Sequence, residues 1–182
     1  MCTLSWWIAE SERGIVFNRD ELRTRSRGEA PAAYQKASQC VLMPRDPDAG
    51  GTWMGVNASG LIIALLNNYP FHSPRLPGQR SRGLLVADLL AEATSAQDCM
   101  TRLETMDLSI YQGFVLFALG RADGPLGREW NGAGLQMLQL EGEGGLYVLT
   151  SSSHRGQECE AFRTDLFANQ SRERATLKEK HG

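Results

Sequence analysis

Several sequence signals are missing from this chain, and each absence argues against a class of protein. The 182 residues carry a formal net charge of -2, so no excess of basic residues indicates nucleic-acid binding. No apolar run is long enough to span a bilayer, and the N-terminus lacks the pattern of a secretory signal. We therefore expect a cytoplasmic protein that neither spans a membrane nor binds nucleic acid.

Metal, haem and disulfide signatures are missing as well. The four cysteines form no CxxC pair, and the three histidines lack the spacing of a metal site. No CxxCH sequence indicates covalently bound haem. The sequence thus predicts no cofactor and no metal ion. Cys40, Cys99 and Cys159 are expected to be ordinary small core residues.

The amino-acid composition is typical of a globular protein. Hydrophobic residues make up 42% of the chain and charged residues 22%, which is enough apolar material for one domain with a core. We predict a single domain over residues 1–169. The charged residues 170–182 are expected to form a flexible tail.

Two β-hairpins are predicted in the first third of the chain. Apolar residues 4–8 and 15–17 flank a polar turn. Residues 53–56 and 61–66 flank a turn that contains Asn and Gly, which both tolerate positive φ. Because residues 61–66 are continuously apolar, we expect that strand to be buried on both faces, with Trp53 on its hairpin partner.

Helices and further strands are predicted in the remainder. Apolar residues at helical spacing predict a helix from Ser81 or Arg82, and Ser95 followed by Asp98 predicts the N-cap of a second helix. Further strands are predicted at 114–119 and 146–149, and a last helix at 158–167. Loops are expected at 18–34, 43–51 and 69–83. Because the helices are grouped and do not alternate with single strands, antiparallel sheets covered by helices fit better than a parallel sheet.

Cys2 stands directly behind the initiator Met, at the head of a predicted strand. Removal of Met1 would leave a thiol and a free α-amine on the same residue. A thiol with a pKa of about 8.5 is mostly protonated at neutral pH, and an amine with a pKa of about 8 is suited to accept its proton. An N-terminal cysteine nucleophile therefore carries its own base and needs no histidine.

Four other residues are candidates to assist this thiol. Arg19 and Asp20 follow the second strand of the first hairpin, where a cation would lower the thiol pKa and a carboxylate would hold the α-ammonium. The alternative for them is a solvated turn. Asn68 either donates to the oxyanion of an acyl intermediate or caps a strand end. Ser151 begins a run of three serines that either faces the same cleft or forms a loop or N-cap.

The sequence resembles a known family in several of these segments. "MCTLSWW", "FNRDE", "GGTWMG" with the following "LLNNYP", and "SRGLLV" together resemble the NRDE family, also called the Transport-and-Golgi-organisation family. The likeness is strong over the first half of the chain and weaker at "YVLTSSS". This family is similar in turn to N-terminal nucleophile hydrolases of the bile-salt hydrolase and penicillin V acylase type.

The resemblance implies a fold and a set of catalytic residues. The implied fold is α+β, a four-layer αββα sandwich of antiparallel sheets. Cys2 matches the nucleophile, Arg19 and Asp20 match the Arg and Asp after the second strand, and Asn68 matches an oxyanion donor. A later Asn of those hydrolases falls on Ser151, so a hydroxyl replaces an amide there. Their further C-terminal Arg has no clear counterpart.

Two functions are compatible with this resemblance. The first is a cysteine amidase or acylase that cleaves a non-peptide C–N bond of an unknown small molecule. The second is a non-catalytic binding or trafficking protein whose pocket holds a small apolar ligand such as haem or an acyl-lipid. Cys2 together with Trp6, Trp7 and Trp53 would line that pocket, although core packing is the commoner role of such aromatic residues.

Overall fold

The structure, a computed structural model, describes residues 2–8, 13–69, 78–140, 146–151, 158–159, 161–166 and 169. Its elements in chain order are β1 (Cys2–Ile8), β2 (Arg13–Arg19), β3 (Glu29–Lys36), β4 (Gln39–Arg45), β5 (Met54–Asn57), β6 (Ile62–Asn67), α1 (Arg82–Glu92), α2 (Ala96–Thr105), β7 (Phe114–Leu119), β8 (Leu126–Trp130), β9 (Leu135–Met137) and β10 (Leu146–Ser151). Residues 161–166 are also helical. Of the helices described, none combines the length and apolar character needed to cross a membrane.

The strands form two antiparallel sheets, which confirms the α+β class. A three-stranded sheet has the order β10-β1-β2, and a seven-stranded sheet runs in chain order from β3 to β9. The chain also divides into two compact units. One unit consists of Met1–Arg19 and Glu141–Gly182 and holds the smaller sheet. The other unit, Asp20–Leu140, holds the larger sheet with α1 and α2.

The core of the larger unit lies where α1 and α2 pack against its sheet. Helix α1 begins at Arg82, as its apolar spacing predicted, and the Ser95 side chain accepts a hydrogen bond from the Asp98 amide at the start of α2. Ile63 in the centre of β6 is fully buried within this core. The buried residues of α1 are Leu85, Val86, Ala87, Leu89, Leu90 and Ala91.

Close contact between two glycines explains two of the motifs noted in the sequence. A Cβ atom on Gly51 would lie 2.3 Å from the carbonyl carbon of Gly83, which is closer than such atoms approach. The Thr52 amide donates to the Gly83 carbonyl oxygen at 3.0 Å. The "GGTW" and "SRG" segments are therefore in direct backbone contact at the N-terminus of α1.

Two of the expected loops contain strands, so those predictions were wrong in part. The segment 18–34 includes the start of β3, and 43–51 includes the end of β4. Strand β3 lies at one end of the strand order and its side chains are mostly exposed. A strand exposed on both faces needs no alternation of apolar and polar residues, and Pro31 is tolerated there because an edge strand can lack one donor.

The prediction for the cysteines was right for one residue and wrong for another. Cys99 is buried in α2, where desolvation and the nearby Asp98 raise the pKa of its thiol to about 12. Cys40 is exposed, because alternation along β4 places Val41 in the core and its neighbours on the other face. Cys159 is half-buried. The predicted tail, 170–182, lies outside the described residues.

Candidate active site around Cys2

Cys2 is the first residue of the central strand of the smaller sheet. On one side its Cα pairs with that of Arg19 in β2, and on the other side with that of Ser151 in β10. In an antiparallel pair, directly opposite residues project from the same face with Cβ atoms about 4.5–5.5 Å apart. The register therefore brings together three of the residues that the sequence singled out.

The hydroxyl of Ser151 is buried and makes no hydrogen bond to the described part of the chain. Ser151 is 9% exposed, and its Oγ has no hydrogen-bond partner among the residues that the structure describes. A buried hydroxyl without a partner costs free energy and is uncommon in folded proteins. Cys2, also 9% exposed, is its cross-strand neighbour. This unsatisfied hydroxyl beside a thiol is what distinguishes the end of the sheet from ordinary core.

Arg19 and Asp20 lie on either side of the sequence boundary between the two compact units. Arg19 ends β2 and is half-buried, whereas Asp20 is exposed and is the first residue of the larger unit. The hairpin prediction is confirmed for Arg19, because its register with Cys2 is direct. In the loop that follows, Arg25 forms salt bridges with Asp46 at 2.7 Å and with Asp48 at 3.3 Å.

Asn68 lies in the larger unit, directly after β6. It is 6% exposed, its backbone amide donates to the Gly113 carbonyl at 3.1 Å, and its Nδ2 donates to Glu129 Oε1 at 2.6 Å. An amide group has two N–H donors, so the bond to Glu129 fixes its orientation and leaves a second donor for another acceptor. Sequence reasoning missed Glu129, which lies 61 positions away and carries no motif.

A second contact to Cys2 was also missed. The Thr150 hydroxyl donates to the Cys2 carbonyl oxygen at 3.1 Å, and the Arg163 guanidinium donates to the same hydroxyl. Arg163 belongs to the helical residues 161–166. The signal available in the sequence was a lone Arg on a predicted helix, which is too common to indicate a site.

The tryptophans are engaged in packing. Trp6 is 1% exposed. The ring of Trp7 packs against Gly14 and the ring of Trp53 packs against Gly28, each in the space that a larger side chain at the glycine would need. These contacts favour the structural role that is the commoner one for such residues.

No group of three His, Cys, Asp or Glu side chains suited to hold a metal ion occurs in the described part of the chain. His72, His154 and His181 all lie outside that part, as do Ser152 and Ser153.

Comparison with models of known protein families gives a match. A model of the family described as Transport and Golgi organisation 2 matches residues 1–164. Every candidate residue from Cys2 to Ser151, and Arg163 besides, lies within that range. A search of curated proteins gives no match.

Proposed function

The chain belongs to the Transport and Golgi organisation 2 family, and from that premise and the surroundings of Cys2 we propose that it is an N-terminal cysteine nucleophile hydrolase. The proposed reaction is cleavage of a non-peptide amide bond in a small molecule. The observation that carries the proposal is the cross-strand placement of Cys2 between Arg19 and Ser151, whose buried hydroxyl lacks a partner among the described residues.

The proposed mechanism starts with removal of Met1. The α-amine of Cys2 then takes the proton of its own thiol, and the thiolate attacks the carbonyl carbon of the substrate amide. The nitrogen of the amide leaves as an amine after receiving that proton, and an acyl-enzyme thioester remains. Water, deprotonated by the same amine, attacks the thioester and releases the carboxylic acid and the free thiol.

The assisting residues have separate proposed roles. Arg19 stabilises the thiolate, because a nearby cation favours the charged form of a thiol. Asp20 holds the α-ammonium. Asn68, oriented by Glu129, and the Ser151 hydroxyl donate to the oxyanion of the tetrahedral intermediate. Ser151 is the weaker of these two donors, because it has a hydroxyl where the similar hydrolases have the amide of an Asn.

We extend the proposal to the fold and location. The two antiparallel sheets and the helices packed on the larger one support the four-layer αββα sandwich, built as one domain over residues 1–169. An experimental structure of the whole chain tests this arrangement. A cytoplasmic location is proposed with it, and fractionation of expressing cells tests that location.

The alternative is a non-catalytic carrier of a small apolar ligand such as haem or an acyl-lipid. It requires aromatic side chains that are available to a ligand. Trp7 and Trp53 already pack against glycines, which favours the hydrolase.

Site-selective alkylation tests the nucleophile. Protein whose N-terminal processing has been verified by mass is treated with limiting iodoacetamide near neutral pH, and the modified cysteines are identified by peptide mass spectrometry. We expect Cys2 to react faster than Cys40, although Cys40 is exposed and Cys2 is buried. The buried Cys99, with its raised thiol pKa of about 12, should not react. Faster labelling of Cys40 than of Cys2 would contradict the proposal.

Turnover is tested with a panel of small N-acyl compounds, by measuring the release of primary amine. Cys2→Ser should abolish release and leave the melting temperature unchanged. A carrier would release no amine from any compound, and its Cys2→Ser variant would bind haem or fatty acid as the parent protein does.

A further inference from the structure

The backbone of Cys2 is held by a hydrogen-bonded chain that begins on a helix. The Thr150 hydroxyl donates its proton to the Cys2 carbonyl oxygen at 3.1 Å. The same oxygen of Thr150 accepts a hydrogen bond from Nη1 of Arg163. A hydroxyl has one proton and two lone pairs, so both bonds form at once. We call Arg163, Thr150 and the Cys2 carbonyl the relay.

The relay reaches Cys2 from the face of the sheet that does not carry the thiol. Ser151 is directly opposite Cys2 in the register, and Thr150 is directly opposite Thr3. Because successive side chains of a strand point to opposite faces, the Thr150 side chain lies on the face opposite to those of Cys2 and Ser151. The relay therefore contacts the backbone of Cys2 from the face opposite to the thiol.

Such a restraint matters at the first residue of a mature chain. Terminal residues fray unless they are held, and a nucleophile that carries its own base needs its amine and thiol in one arrangement. The relay is also stronger than an ordinary side-chain contact. The guanidinium charge polarises the Thr150 hydroxyl and strengthens the bond that this hydroxyl donates to Cys2.

We infer that Arg163 is a positioning residue for Cys2 and acts through the Thr150 hydroxyl. The inference rests on the proposed nucleophilic role of Cys2. The contact that assigns this positioning role is the hydrogen bond from Arg163 to the Thr150 hydroxyl.

Hydrogen exchange measures whether the relay holds the strand. Thr150→Val removes the hydroxyl with almost no change in volume, Thr150→Ser retains it, and Arg163→Ala removes the charged donor. We expect Thr150→Val and Arg163→Ala to accelerate amide exchange of Thr3 and Leu4 about tenfold, as loss of one charge-assisted hydrogen bond implies. Thr150→Ser should exchange as the parent protein does.

Matched controls separate this effect from general destabilisation. Thr164→Val removes an exposed hydroxyl beside Arg163, and Arg23→Ala removes an exposed Arg of the loop after β2. Neither control should change exchange in β1. Unchanged exchange in Thr150→Val would overturn the inference. If Arg163→Ala fails to fold, amide exchange in Thr150→Val tests the inference by itself.

Alkylation against pH measures the chemical consequence. With the relay broken, the rate profile of Cys2 should move to higher pH and the rate near pH 7 should fall several-fold, with Thr150→Ser restoring both. If the alkylation profile is unchanged in both Thr150→Val and Arg163→Ala, the inference about Arg163 is overturned. Cys2 would still react fast in that case, so the proposed function would stand. Slow labelling of Cys2 in the parent protein would instead refute the proposed function, and exchange in β1 would still decide whether the relay holds the strand.

Discussion

At the scale of single residues, burial works against Cys2 as a nucleophile. Desolvation disfavours a thiolate, and Cys99 shows the effect in this protein, since burial beside Asp98 raises the pKa of its thiol to about 12. Cys2 is also buried, but its cross-strand neighbour is a cation, Arg19. The proposed reactivity of Cys2 therefore requires charges that offset its burial.

Removal of Arg19 should move the Cys2 alkylation profile to higher pH. The reason is that Arg19→Ala deletes the cation that favours the thiolate. Asp20→Asn should lower the pKa of the α-amine, because it removes the charge partner proposed for the α-ammonium. Arg23→Ala is the matched control, since Arg25 is bound to Asp46 and its loss would loosen the loop. Superimposable profiles for Arg19→Ala and Arg23→Ala would mean that "NRDE" is a solvated turn.

Removal of the Ser151 hydroxyl should cost no stability. Because its Oγ lacks a partner among the described residues, Ser151→Ala should leave the melting temperature unchanged or raise it, while amine release falls. The control is Ser95→Ala, which deletes the N-cap of α2 and should cost about 1 kcal/mol of unfolding free energy. A Ser151→Ala variant as destabilised as Ser95→Ala would show that the hydroxyl is structural.

At the scale of elements, β6 is the best test of the core. It runs through the middle of the larger sheet, between β5 and β7, and its residue Ile63 faces the helices. Its sequence is apolar at consecutive positions, which fits a strand buried on both faces. A charge at this position would have no partner.

Ile63→Asp should destabilise the protein by several kcal/mol, because it buries an unpaired carboxylate. Leu42→Asp is the control in the same sheet, since Leu42 is 48% exposed and a charge there stays in water. Urea unfolding followed by far-UV circular dichroism measures both. Similar unfolding midpoints for these two variants would rule out the assignment of Ile63 to the core.

At the scale of the whole molecule, carboxyl groups whose pKa is lowered in the folded state contribute to the response to acid. Asp98 is the clearest case. Its burial raises the pKa of the carboxyl, but the hydrogen bonds from Thr94 and the charge of Arg102 outweigh that effect, and the net pKa is lowered. A carboxylate with a lowered pKa in the folded state stabilises that state above its unfolded pKa of about 3.9.

That stability should be lost as pH falls through the lower, folded-state pKa of Asp98. We expect the difference in melting temperature between the parent protein and Asp98→Asn to be constant above about pH 5 and to shrink below pH 4. Ser95→Ala, at the same end of α2, changes no titrating group, so its difference should persist at low pH. A constant difference for Asp98→Asn down to pH 3 would contradict this assignment.

The sequence by itself determined the parts of the protein that depend on neighbouring residues. The first hairpin, the apolar strand β6 and the Ser95 cap were predictable, because alternation, continuous apolar runs and N-cap chemistry act within a few residues. The sequence also placed Arg19 beside Cys2, because β1 and β2 are separated by few residues and this leaves little freedom in their register.

Only the tertiary structure decided contacts between distant parts of the chain. Thr150 reaches Cys2 across 148 positions, and Glu129 reaches Asn68 across 61. Exposure of Cys40 depends on which face of β4 meets the helices. Local pattern carries no information on these pairings, because the register between strands far apart in sequence is fixed by packing of the whole sheet.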